Sequence, residues 1–431
     1  MPNRSAAAAA AGGRRGPAGA AGAVEPVHFG YTCGVITIPT ALARATEVRA
    51  GTAAASAPPA PAAPRRVFAI GDPQTSAERF FGALAARGLL GGDGWLRPDV
   101  RLISMGDHFD YHVPERERAR VEGVLILGWL AAHARAQVSI LAGNHDLARV
   151  MELAAVDDAA FLAAGDFARA LAGAPEPARD ALEAEFLRRY PAIATPGYAA
   201  RDYNAFTVEQ RELVQRMLLA GRFDLALAAR AQDGAAVLLT HAGVTHRQLA
   251  ELGLADERAP EAIADALNAR LRTAVAAVAD DWRRGGQAPL SLEPLHVAGA
   301  AGEEGGGLLY HRPADPDRPG ASASWEHNAR APRRYHPREL PRGLAQVIGH
   351  TGHQKAYKEL PRWREPGMDD RRGGLRTLRV SPDGAIEYRR GTHPPGPGDA
   401  TVWMIDPEMH YVPSGADVAL LELAADAAAS T

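Results

Sequence analysis

The chain contains a single cysteine, Cys33, among its 431 residues, so it cannot form an intramolecular disulfide. Such cysteine usage is typical of a reducing compartment, and we expect a cytoplasmic protein. No run of about 18 apolar residues is present, so the sequence predicts no membrane span. The N-terminal segment lacks the apolar core of a secretory signal, because Arg14–Arg15 is followed by Gly-Pro-Ala-Gly.

An excess of basic charge is also absent. The chain has 48 Lys and Arg residues against 51 Asp and Glu residues, for a formal net charge of −3. This balance gives no strong signal for nucleic-acid binding, although it does not exclude a local basic patch. Hydrophobic residues make up 46% and charged residues 23%, which is ordinary for a soluble globular protein.

Composition divides the sequence into three parts. Residues 1–64 are rich in Ala, Gly and Pro, and we predict a mostly disordered segment that ends in a Pro/Ala linker. Within it, residues 26–50 carry enough β-branched and aromatic residues for a short strand or hairpin. Residues 65–415 are the predicted main domain, and the Ala-rich residues 416–431 are predicted to be a C-terminal tail, either helical or frayed.

Strand-like and helical patterns alternate along the main domain, which predicts right-handed crossovers and mainly parallel pairing. The five strand-like runs are Arg66–Ile70, Val100–Met105, Val138–Ala142, Ala235–Thr240 and Leu344–Ile348. Residues 147–232 are rich in Ala, Leu and Arg at helical spacing, and they predict a helical insertion near the sheet rim. This insertion is either a substrate-selecting cap or a scaffold. The runs RTLRV, AIEYRR and TVWMID predict short antiparallel strands near the C-terminus.

All five strand-like runs end in side chains that can bind a metal. These side chains are Asp72, Asp107 with Asp110, Asn144 with His145, His241, and His350 with His353. In open α/β sheets, ligands bind beyond the carboxyl ends of the strands, so we expect these groups to meet at one rim. Oxygen and imidazole ligands, with no cysteine near any motif, suit Mn²⁺, Fe or Zn²⁺. One such residue is most often a turn residue, but the joint pattern predicts a metal centre.

These motifs resemble those of the calcineurin-like metallophosphoesterases. The matching segments are GDPQ at Gly71–Gln74, GDHFD at Gly106–Asp110, GNHD at Gly143–Asp146, THAG at Thr240–Gly243 and GHTGH at Gly349–His353. GGLLYHRP at Gly306–Pro313 is similar to a segment of the phosphoprotein-phosphatase and dinucleoside-tetraphosphatase branch. The resemblance implies an α/β (α+β) fold of four layers, in which a β-sandwich is flanked by helices and carries a helical insertion.

The resemblance also implies a centre of two divalent metal ions, for which we expect Mn²⁺, with Fe or Zn²⁺ as alternatives. The implied ligands are Asp72 and Gln74 at the first metal, Asn144, His241 and His350 at the second, and Asp107 as the bridge. Gln74 replaces the histidine of the family, and its amide oxygen is a weaker donor, so we expect looser binding of the first metal. His353 follows His350 by three residues rather than two, and it is either a metal ligand or a substrate-side or structural residue.

The catalytic roles implied by the resemblance fall on three residues. His145 is the general acid at the leaving-group oxygen, Asp110 orients it, and Arg312 binds a phosphate oxygen. We expect a phosphorylated substrate, either a phosphoprotein or a small metabolite, attacked directly by hydroxide on the metals without a covalent phosphoenzyme. One alternative is hydrolysis of a dinucleoside polyphosphate or another nucleotide anhydride. The other is a degenerate protein that binds a phosphorylated ligand without turnover, which Gln74 leaves open.

Overall fold

The structure is a computed structural model that describes residues 32–51, 65–111, 113–318 and 331–425. It is a mixed α/β protein, as predicted. The predicted disorder and linker of residues 1–31 and 52–64, and the last residues of the predicted tail, lie outside this described part. Among the helices it contains, none combines the length and apolar character needed to cross a membrane.

Ten helices in the described ranges are labelled in chain order. They are α1 (Thr32–Arg49), α2 (Ala77–Ala86), α3 (Arg116–Ala132), α4 (Asn144–Leu147), α5 (Asp158–Ala172), α6 (Glu176–Arg189), α7 (Val208–Leu219), α8 (His246–Glu251), α9 (Pro260–Arg283) and α10 (His353–Glu359). A π-helical turn spans Tyr198–Asp202. The predicted helices over 115–134 and 259–284 therefore correspond to α3 and α9.

Fifteen strands are labelled in the same way. They are β1 (Arg66–Ile70), β2 (Val100–Ser104), β3 (Val138–Leu141), β4 (Phe223–Asp224), β5 (Ala226–Arg230), β6 (Ala236–Thr240), β7 (His296–Val297), β8 (Gly306–Gly307), β9 (Arg312–Pro313), β10 (Arg334–Tyr335), β11 (Ala345–Ile348), β12 (Arg376–Val380), β13 (Ile386–Arg390), β14 (Ala400–Met404) and β15 (Leu421–Leu423). All five predicted strands of the main domain are present.

The longer strands form two sheets. The first has the order β15-β1-β2-β3-β4, in which β1 to β4 are parallel and β15 is antiparallel. The second has the order β13-β12-β14-β11-β6-β5, in which β14, β11 and β6 are parallel, β12 and β5 run antiparallel to them, and β13 pairs antiparallel with β12. In each sheet the carboxyl ends of the parallel strands lie at the same edge, and this edge is where ligands bind in α/β proteins.

The two sheets pack face to face, and helices cover their outer faces. Residues between the sheets include Val67, Ile103, Leu141, Leu239, Val347 and Trp403. The outer face of the first sheet packs against α2 and α3, which share a cluster with Phe68 and Leu102. The outer face of the second is covered by α9 beside β5 and β6, and by α10 near β12 and β14. The layers are therefore helices, sheet, sheet and helices.

Two terminal elements differ from the prediction. Residues 32–49 form helix α1 rather than a strand or hairpin, and its Ala41 and Ala45 are buried against α2 and α3. Alanines four residues apart lie on one helical face, so packing overrides the β-branched composition. In the predicted tail, β15 pairs with β1 and buries Leu421 and Leu423, with Glu422 exposed between them. This buried–exposed alternation is a strand pattern, but three residues are too few to predict one.

The predicted helical insertion over 147–232 is helical only as far as Leu219. Its last part contains β4 and β5, which are the edge strands of the two sheets. The segment is rich in alanine and favours helix by propensity, but pairing with β3 and β6 places it in strands. The end of the predicted insertion is therefore the connection by which the chain passes from one sheet to the other.

Candidate metal centre

Four strand ends deliver polar side chains to one buried cluster. Asp107 follows β2, Asn144 follows β3, His241 follows β6 and His350 follows β11, and all four are buried. Ligand atoms of Asp107, His241 and His350 lie within 4.8 Å of one another and could hold a metal ion. The cluster joins the rims of both sheets, since β2 and β3 belong to the first and β6 and β11 to the second.

The amide of Asn144 completes this cluster. Its Oδ1 position lies 2.9 Å from His350 Nδ1, 3.1 Å from His241 Nε2 and 3.3 Å from Asp107 Oδ2. Two ligand atoms each about 2.1 Å from one metal, at a right angle, lie roughly 3 Å apart. Four lone-pair donors at such spacing fit a divalent cation. Rotating the amide would place its NH₂ group there as a donor to His350 Nδ1 and Asp107 Oδ2 instead.

Backbone carbonyls select the tautomers of the two histidines. His241 Nδ1 lies 2.8 Å from the Met105 carbonyl oxygen, and His350 Nε2 lies 2.8 Å from that of Tyr310. When each of these nitrogens donates its proton to the carbonyl, the other ring nitrogen faces the cluster with a free lone pair. A hydrogen bond on the far side of the ring is the usual way in which proteins orient a metal-binding imidazole.

The charges of the cluster attract a cation. Burial opposes ionisation of Asp107, but His241 and His145 outweigh it and hold the pKa of this carboxyl well below its usual range. Burial lowers the pKa of His241, but Asp107 and Asp72 raise it to about 10. Burial and the charge of Arg312 lower the pKa of His350, which stays neutral. Two carboxylates thus draw a positive charge to the place where a metal would bind.

Asp72 and Gln74 lie at the edge of this cluster but are differently placed. Asp72 Oδ2 accepts the His350 backbone N–H at 2.8 Å, while Asp72 Oδ1 is buried without a hydrogen-bond partner in the described part of the chain. Burial and the Asp406 carboxylate raise the pKa of Asp72. Gln74 Nε2 donates to the Phe109 carbonyl oxygen at 2.9 Å. Asp72 therefore offers a free oxygen, and Gln74 is partly held by the backbone.

His353 is not brought into the cluster of described residues that includes His350. It is the first residue of α10, and its Nδ1 lies 3.2 Å from the Arg371 carbonyl oxygen. Burial and Arg376 lower its pKa to about 3. Its Nε2 is buried without a hydrogen-bond partner in the described residues, so both alternatives, a metal ligand and a substrate-side or structural residue, remain predictions.

His145 and Asp110 form a pair between the cluster and the solvent. His145 Nδ1 lies 3.0 Å from Asp110 Oδ2, and its Nε2 lies 4.0 Å from Asp107 Oδ2. The His145 side chain is 17% exposed, whereas that of Asp110 is fully buried. Asp110 thus fixes the ring, and Nε2 remains available beside the metal cluster for proton transfer.

Three residues that the sequence did not single out hold Asp110 in place. Arg149 Nη2 lies 2.6 Å from Asp110 Oδ2, and the Ala205 backbone N–H donates to Asp110 Oδ1 at 2.9 Å. Arg149 in turn donates to Gln210 Oε1 at 3.2 and 3.0 Å. Arg149 is fully buried and follows His145 by four residues, a spacing that could have linked the two. The predicted insertion therefore contacts the His145–Asp110 pair rather than standing apart from it.

A second histidine–aspartate pair lies beneath the cluster. His108 Nδ1 is 2.9 Å from Asp146 Oδ1, and His108 Nε2 is 2.9 Å from Ser104 Oγ. A serine, a histidine and an aspartate in this order resemble a hydrolase triad, but both ionisable side chains are fully buried. Asp146 Oδ2 also accepts the backbone N–H groups of Asp107 and Gly143. The group therefore ties the turn after β2 to the turn after β3.

Two motif glycines, Gly143 and Gly349, are required by a neighbouring candidate ligand. A Cβ atom on Gly143 would lie 2.1 Å from Asp107 Oδ1, and one on Gly349 would lie 2.1 Å from Asp72 Oδ1. Asp107 and His350 themselves have φ of 57° and 55°, in the left-handed region. For a histidine such a conformation costs on the order of 1–3 kcal/mol, and it occurs where surrounding contacts hold it. The left-handed backbone at these two residues therefore lowers stability but directs their side chains into the cluster.

Arg312 lies between the cluster and a cleft of about 830 Å³. Its Nη2 is 2.9 Å from His350 Nε2, and its Nε is buried without a partner in the described residues. Burial and Arg334 lower the pKa of Arg312. His145 lines the same cleft, so a ligand there would meet the metal cluster, the Arg312 guanidinium and the His145 ring together.

Asp406 is a further carboxylate of this rim that the sequence reading missed. It follows β14, is buried and lines the cleft, and burial with Glu408 raises its pKa to about 7. The signal was present, because TVWMID is a strand that ends in an aspartate. The sequence predicts an antiparallel strand there, whereas β14 is parallel to β11, so its end reaches the same rim as His350.

Comparisons with known proteins do not assign a family. No protein-family model matches the chain, and no curated protein matches it. One solved structure, a cold-active protein tyrosine phosphatase, shows a likeness over 72% of each chain, with 15% sequence identity and a TM-score of 0.29. A likeness of this size supports no conclusion about fold or activity, and the site stands on its own geometry.

Proposed function

We propose that the protein is a metal-dependent phosphoesterase that hydrolyses a phosphomonoester of a protein or a small metabolite. The observation that supports this is the convergence of Asp107, Asn144, His241 and His350 beside a histidine that opens to a cleft. A divalent metal bound there would neutralise phosphate oxygens and lower the pKa of a coordinated water. We favour Mn²⁺, with Fe or Zn²⁺ as alternatives, and a second ion held by Asp72, Gln74 and Asp107.

The chain supplies the remaining chemistry through three side chains. His145 Nε2 donates a proton to the leaving alcohol oxygen, which would otherwise depart as an unstable alkoxide. Asp110 accepts a hydrogen bond from the Nδ1 proton of His145 and so favours the imidazolium, the form that has an Nε2 proton to donate. Arg149 offsets the charge of Asp110 at 2.6 Å, so that the pair is not an isolated buried anion.

Arg312 is the proposed phosphate ligand. We propose that metal binding at His350 breaks the contact between Arg312 and His350 Nε2. His350 Nε2 cannot both donate to the Tyr310 carbonyl at 2.8 Å and accept from Arg312 at 2.9 Å. A metal at His350 Nδ1 requires the proton on Nε2, which selects the Tyr310 carbonyl. Arg312 then faces an N–H group and turns to a phosphate oxygen, for which a guanidinium is a bidentate partner.

The proposed phosphoesterase unit comprises residues 65–415, as expected from the sequence, together with β15. The test is to prepare metal-free protein and measure hydrolysis of p-nitrophenyl phosphate, small phosphomonoesters and phosphopeptides after addition of Mn²⁺, Fe²⁺ or Zn²⁺. We expect metal-dependent release of phosphate that a chelator abolishes. Absence of turnover with every metal and substrate, despite stoichiometric metal binding, would instead favour a protein that binds a phosphorylated ligand without hydrolysing it.

A further inference from the structure

The chain uses arginine for almost every basic position. Among its 48 Lys and Arg residues only two are lysines, Lys355 and Lys358. Both lie on α10, three residues apart, and both are exposed and line the cleft above the metal cluster. Residues at this spacing are neighbours on a helix surface. The two lysine side chains therefore stand together at the site, just after the strand end that carries His350.

These lysines differ from four arginines of the cleft in having no acidic partner. The paired arginines are Arg201 with Asp202, Arg333 with Glu304, Arg334 with Glu359, and Arg372 with Glu408. Across the described ranges, neither Lys355 nor Lys358 takes part in an ion pair or a side-chain hydrogen bond, and Arg312 has no ion pair. One wall of the cleft therefore carries three positive charges that no described carboxylate neutralises by contact.

Lys355 and Arg312 lie close enough to affect one another. The charge of Arg312, and then the loss of hydration, lower the pKa of the Lys355 amine. Asp406, Asp202 and Glu408 act in the opposite direction, but Asp202 and Glu408 already pair with arginines. Arg312 and Lys355 repel each other, neither is in ion-pair contact with a carboxylate of the described residues, and an anion between them would relieve that repulsion.

We propose that Lys355 and Lys358 form a second anion subsite, which binds a phosphoryl group of the substrate next to the one held at the metal centre. This assignment rests on the proposed function and names the substrate class as a small molecule with two or more closely spaced phosphoryl groups. Arg312 and Lys355 flank the first group, and Lys358 lies one helical step farther out. The cleft volume of about 830 Å³ falls within the range of small-molecule sites, which is roughly 300–1,000 Å³.

The use of lysine fits this task. An ammonium group is a compact charge on a flexible stem and can follow a phosphoryl group that has several orientations. Arg201 and Arg334 of the same cleft are each held by one carboxylate through two guanidinium nitrogens. A peptide with two phosphoserines is the competing ligand, and it is one arm of the test below.

Amine labelling tests the subsite without any need for turnover. Reductive methylation modifies lysine and the α-amino group but not arginine, so Lys355 and Lys358 are the only side chains labelled, and the α-amino group is an internal reference. Labelling would be followed by peptide mass spectrometry on Mn²⁺-loaded and metal-free protein. The ligands are methylenediphosphonate, which resists hydrolysis, and methylphosphonate at equal ionic strength with Mn²⁺ kept in excess.

We expect methylenediphosphonate at ten times its Kd to slow labelling of both lysines roughly tenfold relative to the α-amino group. Methylphosphonate should protect Lys358 much less. Unchanged labelling in both the loaded and the metal-free protein would overturn the subsite. Protection by a peptide with two phosphoserines but not by methylenediphosphonate would overturn the assignment to small molecules.

Steady-state kinetics of two matched variants, Lys358→Gln and Lys358→Arg, provides a second test of the subsite. The measured quantity is kcat/KM for a bisphosphate divided by kcat/KM for p-nitrophenyl phosphate. We expect Lys358→Gln to lower this ratio about tenfold, because a charged hydrogen bond to the second phosphoryl group is lost. Lys358→Arg should restore the ratio, because the charge and the hydrogen bond return. An unchanged ratio in Lys358→Gln would contradict the subsite while leaving the phosphoesterase proposal intact. If the wild type hydrolyses nothing, the phosphoesterase proposal fails, and the labelling result still decides whether the lysines bind phosphoryl groups.

Discussion

The two halves of the candidate metal centre differ in how well their ligands are placed. In one half, Asn144 Oδ1 lies within 3.3 Å of atoms from Asp107, His241 and His350, and all four residues are buried. In the other half, Asp72 has a buried oxygen without a partner in the described chain, and Gln74 donates to a backbone carbonyl. Both halves come from strand ends of the same sandwich. Position at a strand end is therefore not enough to orient a side chain as a metal ligand.

The difference lies in the groups that hold the ligands. His241 and His350 each have a backbone carbonyl at 2.8 Å behind the ring, and the turns that carry Asp107 and Asn144 are joined through Asp146. No comparable contact in the described residues turns the Gln74 oxygen toward the cluster. If the proposed second ion binds, we expect the position at Asp107, Asn144, His241 and His350 to be prepared before binding and the position at Asp72 and Gln74 to form around the ion, which costs affinity.

Substitution of the shared carboxylate should have the largest effect. We expect Asp107→Asn to lower kcat/KM by at least about a thousandfold, because it removes the charge that the proposed ions share. Asparagine tolerates the left-handed φ of 57° at this position, so the fold should be retained. Circular dichroism, metal content and phosphate release would be measured together. His353→Gln, outside the cluster, should keep its metal, and equal metal loss in both variants would refute this division.

Substitution of His145 should affect substrates in proportion to their need for a proton. We expect His145→Gln to slow an alkyl phosphate by about 10²–10⁴-fold, and p-nitrophenyl phosphate much less, because p-nitrophenolate leaves without protonation. Rates for both substrates would be compared at saturating Mn²⁺. The same loss for both leaving groups would show that His145 binds the phosphate or the metal instead of donating a proton.

The comparison between the halves is tested most directly by metal titration. We expect calorimetry on metal-free protein to show one Mn²⁺ bound tightly and a second bound at least about tenfold more weakly. Gln74→His should strengthen the second site, since imidazole is the better donor, and should leave the first unchanged. Two sites of equal affinity in the wild type would show that the free Asp72 oxygen is sufficient and that Gln74 imposes no penalty.

The smallest effect is expected from Gln210, which contacts Arg149 and the Ala205 carbonyl oxygen rather than the His145–Asp110 pair itself. Gln210→Ala removes the acceptor of a buried guanidinium and should lower the free energy of unfolding by about 1–3 kcal/mol. It should also slow alkyl phosphates several-fold more than p-nitrophenyl phosphate. Gln137→Ala is the control, because Gln137 is buried and donates to the Arg97 carbonyl away from the site. An unaltered ratio of the two substrates would leave Gln210 a purely structural role.

Much of the fold was accessible from local pattern. The five main strands and the α/β class are confirmed, because short apolar runs, four of them followed by glycine, are encoded by neighbours in sequence. Helix α1 and strands β5 and β15 were missed. Helix α1 has a β-branched composition, β5 is Ala-rich and β15 has only three residues, and each owes its conformation to packing or pairing with another element.

The candidate site was predictable to a similar extent. Strand direction placed the motif residues at one rim, and the structure brings Asp107, Asn144, His241 and His350 together there. It does not bring His353, which stands only three residues from His350. Asp406 was missed because its strand is parallel to one neighbour and antiparallel to the other, and sequence does not reveal strand order.

By itself, the sequence determined where strands end and which polar groups stand there, since turns and periodicity depend on adjacent residues. Tertiary structure alone decided which of those groups meet and which reach solvent. The two histidine–aspartate pairs illustrate the reason. His108–Asp146 and His145–Asp110 have similar spacings of 2.9 and 3.0 Å, yet only His145 is partly exposed. Exposure depends on which distant segments cover a side chain, and that is a property of the packed molecule.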